Sequence, residues 1–232
     1  MTVWNSRFPM PRGSQHVPVA PRRLVAVRAM DVDDLPFVAR VHRECLPGGF
    51  FADLGDGFLR RYHQSFVTSP ASVALIGEVD GDRAGFLVGT VDHLRYTRHV
   101  GRHHRTRLVA AGGWALMRRP GLTGRLLSTR IGRYATALRR VRQPLVGGAP
   151  RARFGVLSHI AVDGGRRRAG VGRALVDSFV GIARLHGTQR LELLARGGSD
   201  AAESFYPLLG WTPGDERRDR DGTPWIPFTL EV

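Results

Sequence analysis

The 232-residue chain contains no lysine: all 35 of its basic residues are arginine, set against 20 acidic residues, for a net charge of +15. One cysteine, Cys45, leaves no partner for an internal disulfide, so the chain is expected in a reducing, cytoplasmic setting. Long hydrophobic runs are missing too. The longest, Leu108 to Met117, is well short of the ~20 apolar residues needed to cross a bilayer. Met1 to Arg7 lacks the apolar core of a signal peptide. Carboxylates are absent from His93 through Val162, while fifteen arginines fall between Arg95 and Arg153. A hydrophobic content of 42% with 8% aromatics excludes a disordered chain and leaves room for a full globular core.

The densest pattern begins at Leu157. Leu157, Ile160, Ala161 and Val162 make a short apolar strand that ends at the turn Asp163-Gly164-Gly165. Ala174, Leu175, Phe179, Ile182 and Ala183 then recur at helical spacing until Gly187. Between them runs the basic loop Arg167-x-x-Gly170-x-Gly172, where glycine lets backbone amides approach a ligand and the helix start adds free N–H groups. That combination suits a phosphate or pyrophosphate.

Residues 1–22, with four prolines, read as an N-terminal extension to a single domain over 23–232. Leu24 to Met30 predicts a strand, and Asp31 with Asp34 predicts a capping box at the start of a helix faced by Leu35, Val38, His42 and Cys45. A second helix is predicted over 56–66, then a hairpin of Val73–Ile76 and Phe86–Gly89 turned at Asp80-Gly81-Asp82. An Arg-rich helical insertion follows at 93–153. A short helix is expected over Leu108–Met117 and a basic amphipathic one along Leu127, Ile131, Tyr134, Leu138 and Val141. After the glycine loop come a strand at Leu191–Leu194, a short helix from Asp200 to Leu209, and a closing strand at Trp225–Leu230. The prolines of that last strand suggest an edge or a bulge.

Arg167-x-x-Gly170-x-Gly172, preceded by its strand, resembles the Arg/Gln-x-x-Gly-x-Gly/Ala signature of the GNAT (Gcn5-related N-acetyltransferase) family. Ser199 to Trp211 resembles that family's second signature, Asn-x-x-Ala-x-x-Phe-Tyr-x-x-x-Gly-Phe. The resemblance implies an α+β fold with a mixed sheet. It also implies acyl transfer to a primary amine in a ternary complex, with acetyl-CoA or another acyl-CoA as co-substrate. By the same resemblance, the loop amides from Arg168 through Ala169, Gly170, Val171 and Gly172 to Arg173 cradle the pyrophosphate, and Arg167 holds the first signature position. Ile160, Ala161 and Val162 offer a strand edge to the pantetheine arm, and Tyr206 protonates the leaving thiolate. Ser199 stands where the family has asparagine, which puts its contact to that arm in question.

The general base stays open. His159 is the nearest titratable group on the fourth strand and titrates near neutral pH in water. Glu78, Glu44 and a water relay are its rivals, and a structural role for His159 competes with all of them. A GNAT-fold module that binds acyl-CoA or a carrier protein without turnover is the alternative function, as is acyl-carrier-protein-dependent transfer. The acceptor is a small-molecule or peptide amine. The arginine-rich insertion reads as a solvated face, or as a docking surface for an acidic carrier protein or an anionic membrane. Nucleic acid ranks last, because aromatics are sparse in the insertion. No metal ligand set is expected.

Overall fold

The computed structural model describes residues 23–46, 50–117, 153–198, 200–219 and 222–232. The N-terminal extension, Ser199 and the helix expected over Leu127–Val141 lie outside the described residues. Eight strands form one sheet: β1 (Val25–Ala29), β2 (Ser72–Val79), β3 (Asp82–Thr90), β4 (Phe154–Val162), β5 (Arg190–Arg196), β6 (Thr212–Pro213), β7 (Arg217–Arg218) and β8 (Pro224–Glu231). Their order is β1-β2-β3-β4-β5-β8-β6, with β7 also on β8. Every pairing is antiparallel except β4 with β5.

The seven described helices are α1 (Leu35–Cys45), α2 (Phe50–Asp53), α3 (Asp56–Val67), α4 (His93–His103), α5 (Arg105–Met117), α6 (Val171–Leu185) and α7 (Asp200–Phe205). Helix α6 lays Val171, Leu175, Val176, Phe179, Val180 and Ala183 against one face of the sheet. This is the helical repeat of an amphipathic surface helix. Helices α1 and α3 cover the other face with Val38, Val41 and Phe66, over Ile76, Phe86 and Val88. The predicted mixed α+β architecture is thus present, with helix over residues 93–117 of the insertion.

The hairpin turns where the sequence places it, with Asp80 (φ 54°) and Gly81 (φ 87°) both left-handed, as a two-residue hairpin loop requires. The closing strand differs from expectation. β8 is interior, paired with β5 on one side and with β6 and β7 on the other. Pro227 is tolerated because its carbonyl points toward the β6 side, where it accepts from the Gly214 amide at 2.8 Å. Its missing N–H therefore falls in the gap between β6 and β7 and costs no bond to β5. Helix α2 and the short strands β6 and β7 were not expected from the sequence, and α4 was expected only as part of the helical insertion. Four residues of helix and two of each strand are too few to register as periodic.

The expected capping box forms, and it does more than cap. Asp34 is 1% exposed, receives the Asp31 amide at 2.8 Å, and binds Arg28 through both oxygens at 2.6 and 2.9 Å. Arg83 adds a contact at 2.8 Å. The Arg28 hydrogen bonds hold the Asp34 carboxyl below the usual carboxylate range. Asp34→Asn should cost about 2 kcal/mol, because it removes the charge that satisfies two arginines and weakens the cap. Urea unfolding of the two proteins measures the difference, and equal midpoints would refute it.

Candidate active site

Strand β4 is the pivot of the site. Val88 of β3 stands opposite His159, but the next residue, Gly89, stands opposite Leu157, so Ser158 is an extra residue in the ladder. A bulge of this kind bends the strand and reverses the side-chain alternation. Leu157 and Ile160 therefore both join the core under α6, while Ala161 packs with the α1/α3 core. His159 turns to the same side as Ala161, among the rings of α1 and α3. The bend also opens the sheet. β4 and β5 pair only through Phe154–Val156 and Arg190–Glu192, which leaves β4 from Leu157 to Val162 without a strand on that edge among the described residues. Ile160 and Ala161 stand in register with Leu87 and Phe86 of β3, and the Val162 carbonyl accepts from Cys45 Sγ and Arg167 Nε, each at 3.4 Å.

The loop after β4 is tied down by ion pairs at its start. Arg40 bridges Glu44 at 2.9 Å and Asp163 at 3.2 Å, and Arg166 reaches Asp82 at 2.7 Å. Past that point it is open. Arg167 and Arg168 are exposed, and Ala169 is half-buried. Arg168 (φ 62°) and Gly170 (φ 87°) are both left-handed, and Gly170 caps α6 without any side-chain cap. The first-turn amides, including those of Val171, Gly172 and Arg173, therefore have no intrahelical acceptor. A Cβ built on Gly170 would meet nothing within 4 Å, and one on Gly172 would touch Phe205 at 3.5 Å and Val162 at 3.9 Å. The space beside Gly170 is open, and the residues fit a diphosphate there.

Phe205 links this loop to the second signature. Tyr206, just after α7, packs against Phe205, Trp211 and Phe228 at ring separations of 5.2, 6.0 and 5.2 Å. Burial pushes its phenol up to about 12, and no hydrogen bond from its hydroxyl is found among the described residues. Tyr206 belongs to the core under α6, so it and His159 stand on opposite faces of the sheet.

His159 is not alone. Its Nε2 lies 3.0 Å from the Tyr62 hydroxyl, and its ring centroid is 4.7 Å from that of His42. His42 Nδ1 shares a proton with His63 Nε2 across 3.0 Å. Phe51 stacks on Tyr62 at 4.4 Å and meets His159 edge-on. Desolvation lowers His159 to about 3 and His42 to about 4, and it drives His63 well below the ordinary histidine value; neighbouring histidines add to the shifts of His159 and His63. All three rings are therefore neutral at working pH. The other carboxylates considered as bases are occupied. Glu78 Oε1 accepts from Arg28 at 2.7 Å near the far end of β2, and Glu44 is paired with Arg40.

Sequence reasoning missed Tyr62 and the His42–His63 pair as site groups. Their signal was a titratable side chain within the apolar stripe of each of two helices. It reads equally well as helix packing until the bulge in β4 brings His159 to meet them. Among the described residues, no group of three or more histidines, cysteines or carboxylates is placed to hold a metal ion.

A mixed sheet opened at its one parallel junction, with a glycine loop leading from β4 into the helix behind it, is the GNAT acetyltransferase fold. Residues 123–232 match the Acetyltransferase (GNAT) domain family. Among solved structures it is similar to Ard1 from Thermoplasma volcanium (16% identity, 90% of this chain and 97% of that one, TM-score 0.54). It is also similar to the ribosomal-protein-S18-alanine N-acetyltransferase from Escherichia coli (15%, 90% and 94%, 0.55). A third is yncA from Salmonella typhimurium, solved with its cofactor acetyl-CoA (12%, 89% and 93%, 0.52). At these identities the likeness is one of fold. Comparison with curated protein sequences gives no match.

Proposed function

We propose that the protein is an acyl-CoA-dependent N-acyltransferase, acetyl-CoA being the default donor, that acylates a primary amine by direct attack in a ternary complex. The observation that carries this reading is the amide cradle at Gly170. Two left-handed residues and an uncapped helix start aim amides at a space no side chain fills. The free edge of β4 from Leu157 to Val162 supports a place for the pantetheine arm beside it.

The residues divide the work across the sheet. On the α1/α3 face, neutral His159, hydrogen-bonded to Tyr62, accepts the proton the amine loses as its nitrogen bonds to the thioester carbonyl carbon. As the carbon–sulfur bond breaks, Tyr206 on the other face donates to the departing sulfur. A histidine held this far below its usual value is a weak base, so the amine must arrive unprotonated. The acceptor is a small-molecule or peptide amine of that kind. Arg167, Arg168 and Arg173 add positive charge around the diphosphate.

Gly170→Asp tests the cradle. Aspartate tolerates left-handed backbone and caps helices well, so the fold should survive. Its carboxylate would sit beside a doubly charged diphosphate. At a separation of ~5 Å that repulsion is about 2–3 kcal/mol, or roughly 30–150-fold in affinity. Calorimetric titration with coenzyme A reads it directly, and unchanged affinity would remove the cradle from the site.

A further inference from the structure

Helices α4 and α5 form an almost continuous rod: the His104 amide bonds to Val100 O at 3.0 Å and the Leu108 amide to His104 O at 2.9 Å. Its inner side is fixed. Tyr96 is buried with its hydroxyl 2.9 Å from Ser65 Oγ, Val100 packs on the α1/α3 core, and His104 Nε2 lies 3.0 Å from Thr68 Oγ1. The outer side is therefore fixed as well. Arg95, Arg98, Arg102 and Arg105 are exposed along it, followed by Thr106, Val109 (67% exposed), Ala110 and Gly113. Steps of three and four residues place these on one line of a helix.

Two properties of this line call for an explanation. None of the four arginines has a carboxylate partner among the described residues, and all four lie on one line of the helices. Arg98 and Arg102 stand one turn apart and repel each other. Beyond Arg107 the character changes, since Leu108 to Met117 carries no charge at all. The line is cationic at one end and apolar or small at the other.

A nucleic acid would satisfy the arginines but leave Val109 and its neighbours against a hydrated phosphate backbone, and the line offers no ring for base stacking. An acidic protein would likewise meet only the cationic half by charge. A bilayer with anionic headgroups meets both halves at once: phosphates pair with the arginines, and the apolar end seats at the headgroup–acyl boundary. No helix among the described residues is long and apolar enough to cross a membrane, so such a contact lies in the plane of the interface. We propose that the outer line of α4 and α5 docks the protein on an anionic lipid surface. This goes beyond the acyltransferase reading and does not depend on it.

Sedimentation with vesicles tests it. The full-length protein should pellet with vesicles of equal parts phosphatidylglycerol and phosphatidylcholine, stay in solution with phosphatidylcholine alone, and be released as salt is raised. The triple variant Arg95→Glu/Arg98→Glu/Arg102→Glu should bind at least ~10²-fold more weakly, since each arginine near an anionic surface is worth about fivefold. Val109→Asp should weaken binding with every arginine intact, which charge pairing alone does not predict. Coenzyme A binding and melting temperature, unchanged in both variants, confirm their folding. The proposal is overturned if wild type fails to pellet with the anionic vesicles, if it pellets equally with neutral ones, or if either variant binds as wild type does. It is also overturned if polyuridylate or an acidic protein is bound more tightly than the vesicles.

Discussion

Tyr206→Phe is expected to lower turnover by ~10²–10⁴ while leaving coenzyme A affinity nearly unchanged. The ring is held by Phe205, Trp211 and Phe228, contacts that phenylalanine keeps. Only the hydroxyl is lost, and it has no hydrogen bond among the described residues whose removal would disturb the fold. With its phenol raised to about 12 by burial, Tyr206 is neutral and able to donate at any working pH. Full transfer of its proton to a thiolate of ordinary basicity (~8.5) is uphill by roughly 5 kcal/mol. The hydroxyl therefore acts chiefly as a hydrogen-bond donor to developing negative charge on sulfur, an interaction made in the transition state. Pre-steady-state kinetics with a fixed amine, beside calorimetry with coenzyme A, separates the two effects. Undiminished turnover would return Tyr206 to the core.

Acid should destabilise the protein well above the pH at which carboxylates titrate. His42, His63 and His159 are held neutral in the fold by burial, His42 at about 4, His159 at about 3, and His63 well below the ordinary histidine value. In the unfolded chain each takes up its proton near pH 6.5. Between that value and the folded one, the unfolded state binds more protons. The stability is thus complete above about pH 6.5 and is lost as pH falls, at about 1.4 kcal/mol per unit for each ring. From pH 6.5 to 5 the three together should cost roughly 4–6 kcal/mol, less any coupling between them. Asp34, held below the usual carboxylate range, contributes its loss at lower pH. Scanning calorimetry across this interval should show a steeply falling melting temperature, with a shallower fall in His159→Asn, which has one fewer group to protonate. A flat profile between pH 6.5 and 5 would mean the rings are hydrated in the fold.

The loop and second signature were legible in the sequence because their chemistry is local. Gly170 is glycine on account of its own φ, and Tyr206 lies beside Phe205 in the chain as it does in space. The capping box at Asp31 and Asp34 and the Asp80-Gly81 turn were legible for the same reason. What could not be read was register. The extra residue at Ser158 is invisible in the apolar pattern of β4, yet it decides that His159 faces Tyr62 and His42, and it opens the edge beside β5. The tolerance of Pro227 inside β8 depends likewise on a gap between two strands of two residues each, set by pairing and not by composition. Glu78 lies far from Arg28 in sequence, so the ion pair that removes Glu78 from consideration as a base appears only once β1 and β2 are paired.

The central claim is acyl transfer from coenzyme A across the opened β4–β5 junction. Its most direct test is to incubate the purified protein with acetyl-CoA and a library of primary amines, following free thiol and acylated product together. Stoichiometric thiol and amide, formed with at least one amine and abolished by Gly170→Asp at low donor concentration, is the predicted result. Tight binding of acetyl-CoA with no amide formed from any amine would contradict the account and leave a binding protein of GNAT fold.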